Sequence, residues 1–239
     1  MNETITLEVF TDYICPWCYL GDNRLKKIKE NYDIEVKLVH FPLHPETPAE
    51  GRELRDLFRC GPEEIAEKNS RMRGLLEAEG LPFKDRTHTY NSRIAQEIGT
   101  WAETKDSGEA IHGKFFEAYF VEGRNVGDTS VILDVVTKAG LDVDEARAVI
   151  KERRFKEAVD GDWTKSHQYG VTGVPTYFAA GKGLVGAQPV EALEHLMSEV
   201  GAKKRSANPP NKKPISVMYT DRAGVDQFGH CIVVQPPVG

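Results

Sequence analysis

Residues 4–11, TITLEVFT, alternate apolar and polar β-formers, the period of a strand. The chain then turns through DYICPWCYLG. Beyond it, YLGDNRLKKIKENY places Leu20, Leu25 and Ile28 at helical spacing. IEVKLVHFPL alternates again, with Ile34, Val36, Leu38 and His40 on one face. Strand, short loop, helix and strand make a βαβ opening, which predicts a parallel pair.

From Pro48 to Tyr169 the period changes to that of helices. Pro62 suits a first helical position, and Gly80 suits the end of the helix it opens. Ile94, Ile98, Trp101 and Ala102 make one apolar face; Ile111, Phe115 and Tyr119 make another, widened by Phe116 and Phe120. Asp128 and Asp142 each precede a helical run as caps, and Phe155, Val159 and Trp163 mark a last helix. Strand character returns in VPTYFAA and GLVGA. A helix from Pro189 to Val200 follows, with Leu193, Leu196 and Met197 for the core. GKGLVG, residues 181–186, matches a dinucleotide-loop spacing letter for letter, but it continues as strand and reads as a hairpin turn. GAKKRSANPPNKKP has the composition of a linker, and ISVMYT and CIVV beyond it suit short strands or straps. The expected architecture is α/β: one domain from residues 1–47 and 170–200, split by an all-helical insertion over 48–169, with a linker and C-terminal extension over 201–239.

Composition narrows the function. A net charge of −6 over 239 residues gives no electrostatic reason to expect nucleic acid or an anionic membrane. No apolar run approaches the roughly 18 residues of a membrane span. MNETITLEVF lacks the basic and apolar regions of an export signal, so a reducing cytoplasm is the expected compartment. Four cysteines in a chain this long are no disulfide scaffold.

Cys15 and Cys18 therefore need another explanation. A structural zinc site wants a second pair of soft ligands at motif spacing, whereas Cys60 and Cys231 are isolated in the sequence. The pair lies between a predicted strand and a predicted helix. Pro16 at the first helical position leaves Cys15 at the N-cap, where unpaired N–H groups and the helix dipole favour a thiolate. Cys18, three residues on, can reach back to the Cys15 sulfur. Cys15 is then expected to be the more accessible thiol and Cys18 the shielded one. Far along the chain, Pro175 opens a strand after a glycine-containing loop, in a trans or a cis Val174–Pro175 bond.

CPWC after a first strand, a long helical stretch, and then GVPTYF resemble the DsbA branch of the thioredoxin superfamily, most nearly its cytoplasmic FrnE-like group, over residues 4–200. The resemblance implies a thioredoxin fold and a thiol–disulfide oxidoreductase or isomerase. It makes Cys15 the nucleophile, Cys18 the resolving thiol and Pro175 a cis proline facing them. Val174 would dock the substrate backbone beside Pro16 and Trp17, under a helical lid. Partners would be disulfides or thiols on proteins or small molecules, with no cofactor beyond the dithiol; the sequence is silent on oligomeric state.

Two positions depart from the family. Trp17 stands where DsbA enzymes often carry histidine, which points to a weaker oxidant. Val9 stands where thioredoxins carry a buried acid. Asp12, the nearest carboxylate, is a candidate proton relay or a cap of its own turn. Kappa-class glutathione transferases and hydroxychromene-carboxylate isomerases share the fold, with serine in place of Cys15 and glutathione as cofactor, and so form an alternative. A chaperone-like binding module is another. Cys60 and Cys231 are expected to be dispensable for dithiol turnover.

Overall fold

In the computed structural model, residues 4–106 and 108–205 are described; His230, Cys231 and the stretches ISVMYT and CIVV lie outside them. The first strand, β1 (Ile5–Thr11), is followed by α1 (Pro16–Asn31) and β2 (Tyr32–His40). β1 and β2 pair in parallel from Ile5 opposite Ile34 to Thr11 opposite His40, as the βαβ pattern predicts. The chain returns to this sheet with β5 (Thr176–Ala179) and β6 (Lys182–Val185), an antiparallel hairpin laid against β1. Its turn holds Ala180 and Gly181 at φ +46° and +80°, so GKGLVG runs from a hairpin turn into β6 rather than into a helix, as a phosphate loop would. The sheet order is β6-β5-β1-β2-β7, where β7 is Lys203–Lys204 paired to Tyr32 and Asp33. That two-residue strand falls inside the stretch whose composition suggests a linker; it is too short to show any period.

Leu7 and Val9 of β1 face one way and pack with Leu25 and Ile28 of α1, Tyr177 of β5, and Leu193, Leu196 and Met197 of α9 (Val190–Glu199). Phe10 faces the other way into a larger core. Between β2 and β5 run α2 (Leu54–Phe58), α3 (Pro62–Glu77), α4 (Arg93–Ala102), α5 (Ala110–Phe120), α6 (Thr129–Lys138), α7 (Val143–Glu152) and α8 (Lys156–Gln168). Asp128 accepts from Ser130 N at 2.7 Å and Asp142 from Glu145 N at 2.8 Å, so the two carboxylates start α6 and α7 as expected. One small ribbon interrupts the helices: β3 (Arg52–Glu53) pairs antiparallel with β4 (His88–Thr89). Two residues a side cannot alternate visibly, so the sequence gives no sign of it.

The helical stretch has no core to itself. Ile98 and Trp101 of α4, Phe115, Phe116 and Phe120 of α5, and Val135 of α6 share one buried cluster with Phe10, Cys15 and Cys18. Residues through Lys204 form one compact unit accordingly. α8 closes the far face of the sheet, where Lys165 pairs with Glu8 and Asp162 Oδ2 accepts from His40 N at 3.0 Å.

Candidate active site

The thiol site is built where β1 ends. Cys15 N donates to Asp12 O at 3.1 Å, folding residues 12–15 into a tight turn. Inside it Asp12 Oδ1 accepts from Ile14 N at 3.2 Å, while Oδ2 accepts from Leu43 N and from Gln96 Nε2, both at 3.1 Å. The Gln96 amide also reaches Phe41 O and Ser92 Oγ, and its oxygen accepts from Trp163 Nε1 at 2.9 Å. One fully buried carboxylate thus ties the active-site turn to the segment after β2 and to α4. Burial pushes Asp12 up to about 6, against the pull of hydrogen bonds from Ser92, Ile14, Leu43 and Gln96.

Cys15 takes the N-cap of α1 with φ −90° and ψ 115°, and Pro16 takes the first helical position. The Cys15 carbonyl accepts from Cys18 N at 3.0 Å and Tyr19 N at 3.2 Å, which starts the helix. Its thiol does not cap the helix; it donates across the groove to the Val174 carbonyl at 3.4 Å. The Val174–Pro175 bond is cis. Residues 159 apart in sequence thereby meet at the sulfur.

Both cysteines are free thiols and hydrogen-bonded neighbours. Exposure does not separate them, for Cys15 is 3% exposed and Cys18 1%. The open Cys15 expected from an N-cap position is absent because the Val174–Pro175 segment closes over its sulfur. What differs is direction: Cys15 faces the Val174 carbonyl, and Cys18 lines a cavity behind it. The Cys18 thiol is pushed well above the ordinary cysteine value by burial first and by Cys15 second, with the Thr11 hydroxyl and Asp12 backbone opposing. Asp12 therefore meets Cys18 through its backbone, its carboxylate being engaged by Leu43 and Gln96. Trp17 stands at the rim, 37% exposed, where it can lie against a bound chain. Cys60 is half-buried just after α2 and belongs to neither core cluster.

Gly21 explains how α1 can approach the proline segment. A Cβ there would lie 2.5 Å from Tyr177 Oη and 3.0 Å from Pro175 Cγ. No pattern in the sequence marks Gly21 or Tyr13 as part of the site. Tyr13 is buried among Phe115 and Phe116, but its hydroxyl is 2.6 Å from His112 Nδ1. Its place two residues before a reactive cysteine is the available signal; its partner on α5 has none.

The profile of the DSBA-like thioredoxin domain matches residues 6–198. Among curated proteins, YwbO of Bacillus subtilis, itself uncharacterised, is 22% identical over 207 residues, 84% of this chain and 100% of its own length. A probable DsbA oxidoreductase from Streptomyces coelicolor superposes with TM-score 0.77 at 24% identity, covering 97% of this chain and 100% of that one. The cytosolic disulfide reductase DsbM from Pseudomonas aeruginosa gives 0.59 at 20% identity over 82% of this chain and 98% of its own. A 2-hydroxychromene-2-carboxylate isomerase gives 0.67 at 19% identity over 82% and 96%. At these identities the three structures share the fold.

Proposed function

Starting from the DSBA-like thioredoxin domain family, to which this chain belongs, we propose that it is a thiol–disulfide oxidoreductase acting through the Cys15–Cys18 dithiol. The observation that carries the reading is the Cys15 sulfur, at the start of α1 and 3.4 Å from the carbonyl of a cis Val174–Pro175 pair, with Cys18 one helical turn inward. An extended substrate replaces that contact, its backbone against Val174 and its side chains against Trp17 and Pro16. Cys15 attacks one sulfur of the substrate disulfide, forming a mixed disulfide and releasing the other sulfur as a thiolate. Cys18 then attacks Cys15, the dithiol becomes a disulfide, and two electrons have passed to the substrate. Run backwards, the same steps oxidise a substrate dithiol. No cofactor enters, and the substrates are protein or small-molecule disulfides, glutathione disulfide among them.

A glutathione-dependent isomerase needs no second thiol, and Cys18 placed against Cys15 favours the redox reading. The cytoplasm is the compartment we assign, on the strength of the fold shared with a cytosolic reductase. Among the described residues no helix is long and apolar enough to cross a membrane.

Cys15→Ser is expected to abolish reduction of a test disulfide. Cys18→Ser should still attack and then stall as a mixed disulfide, visible by mass under non-reducing conditions. Equal trapping by both variants, or full activity in Cys15→Ser, overturns the assignment. The reduction potential of the pair fixes the direction, a value near that of thioredoxin meaning a reductant and one near that of DsbA an oxidant.

A further inference from the structure

Resolution of a mixed disulfide requires Cys18 to give up its proton, and Cys18 is 1% exposed. Its side chain lines a cavity of about 10 Å³, near the smallest space that holds one water, together with Thr11, Tyr13, Asp22, His112 and Tyr177. The Tyr177 hydroxyl is buried without a partner. Val9 also lines the cavity and carries no proton, and the Asp12 carboxylate is engaged elsewhere. Asp22 is held in an ion pair with Lys26 at 2.8 Å, and the Thr11 hydroxyl is already hydrogen-bonded to Cys18. Tyr13 instead opens a connected file. Tyr13 Oη lies 2.6 Å from His112 Nδ1, and His112 Nε2 lies 3.4 Å from Glu103 Oε1. Tyr13 and His112 are buried, whereas the Glu103 side chain is 38% exposed.

We propose that Tyr13, His112 and Glu103 form the route by which the Cys18 proton leaves as Cys18 resolves the mixed disulfide on Cys15. The inference rests on the dithiol reading above. In the route, the Nε2 side of His112 faces Glu103, and Nδ1 is the nitrogen that accepts from the Tyr13 hydroxyl. The Tyr13 oxygen then has lone pairs to receive the Cys18 proton over one water in the cavity that both residues line. As that proton arrives, Tyr13 passes its own to Nδ1, and the imidazolium is held against the Glu103 carboxylate at the solvent edge. The Cys18 thiolate attacks Cys15 Sγ, the Cys15–substrate S–S bond breaks, and the departing thiolate takes a proton from solvent. Burial, reinforced by Glu103, Asp12 and Asp22, pushes the Tyr13 hydroxyl well above the ordinary phenol value, so Tyr13 relays a proton without standing as a phenolate. The other ionisable groups around the file are Asp22 and Lys26 of α1, His40 of β2, Arg93 of α4 and Asp162 of α8.

The two steps separate in the reaction of the reduced protein with 5,5′-dithiobis(2-nitrobenzoate). Attack by Cys15 releases one equivalent of coloured thiolate, and resolution by Cys18 releases a second. Tyr13→Phe and His112→Gln are expected to leave the first phase within about 3-fold and to slow the second by roughly 10-fold or more at pH 7, in the range of a lost acid–base group. The pH profile of the second phase should move alkaline. Glu103→Gln, at the solvent edge, should shift that profile in the same direction without disturbing the core, and it carries the test if His112→Gln fails to fold. An unchanged second phase in these variants overturns the route, as does equal slowing of both phases with no shift in profile. A wild type that releases only one equivalent overturns the dithiol reading itself.

Discussion

Asp12 shows how far a residue can be read without its neighbours. In sequence it is an acid beside two thiols, with relay or turn cap both open. In the structure its carboxylate accepts from Ile14 N, Leu43 N and Gln96 Nε2, with the Ser92 hydroxyl as a further donor, and organises the joint between the active-site turn, Leu43 and Gln96. Each donor left unpartnered in the interior costs about 1–3 kcal/mol. At pH 4, below the raised Asp12 value so that no buried charge is removed, Asp12→Ala is therefore expected to lower stability by about 2–4 kcal/mol, with the donors partly finding water. Urea denaturation of the reduced protein checks this; a loss under about 1 kcal/mol would mean these bonds carry little. Proton traffic belongs instead to Tyr13, whose contact with His112 spans 99 residues. No local pattern announces a contact of that range, which is why Tyr13 reads as packing from sequence alone.

At the scale of elements the sequence is most informative where a cap, a proline or a sustained period marks the boundary. Pro16 and Pro62 open α1 and α3, Asp128 and Asp142 cap α6 and α7, and Phe115 with Tyr119 face the core from α5. The ribbon of β3 and β4, and the strand β7, escape notice because two residues carry no period. The approach of α1 to the proline segment is likewise invisible, since Gly21 looks like a defect in a helix. Gly to Ala inside a free helix stabilises by roughly 0.5–1 kcal/mol. Here the added methyl meets Tyr177 Oη at 2.5 Å and Pro175 Cγ at 3.0 Å. Gly21→Ala should therefore destabilise, by about 1–3 kcal/mol, as overpacked cores do. Tyr177→Phe removes the nearer obstacle and an oxygen that has no partner, so it should be nearly neutral alone. Added to Gly21→Ala, it should recover part of the loss. A double-mutant cycle with no coupling would show that α1 yields to the methyl by another route.

Across the whole molecule the thiol site is where sheet, turn and helices are joined, and His40 sits at that joint. It ends β2, its ring lies 5.5 Å from Tyr13, and its Nε2 would be 3.3 Å from a Cβ at Gly99 of α4. The alternation of β2 places it on the same strand face as Ile34 and Val36, and neither ring nitrogen has a hydrogen-bond partner. Burial, then His112 and Arg93, lower it from 6.5 to about 3. Between those two values the unfolded chain binds a proton that the folded chain refuses, so this contribution to stability rises with pH. It is complete above about 6.5 and lost as pH falls toward 3. Asp12 and Asp162, each raised to about 6, act in the opposite sense: folded, they keep protons that the unfolded chain has released. A single acid titration of stability mixes these effects, but the difference between wild type and His40→Leu isolates the histidine. At pH 7.5 the two should agree within about 1.5 kcal/mol, because the volumes are similar and no hydrogen bond is lost. At pH 4.5 the variant should have gained about 2–3 kcal/mol on wild type, two pH units at about 1.4 kcal/mol each. Urea midpoints at the two pH values decide it. A difference that stays constant between them would mean that His40 takes up its proton in the folded state, and that the joint beneath the dithiol is open to water.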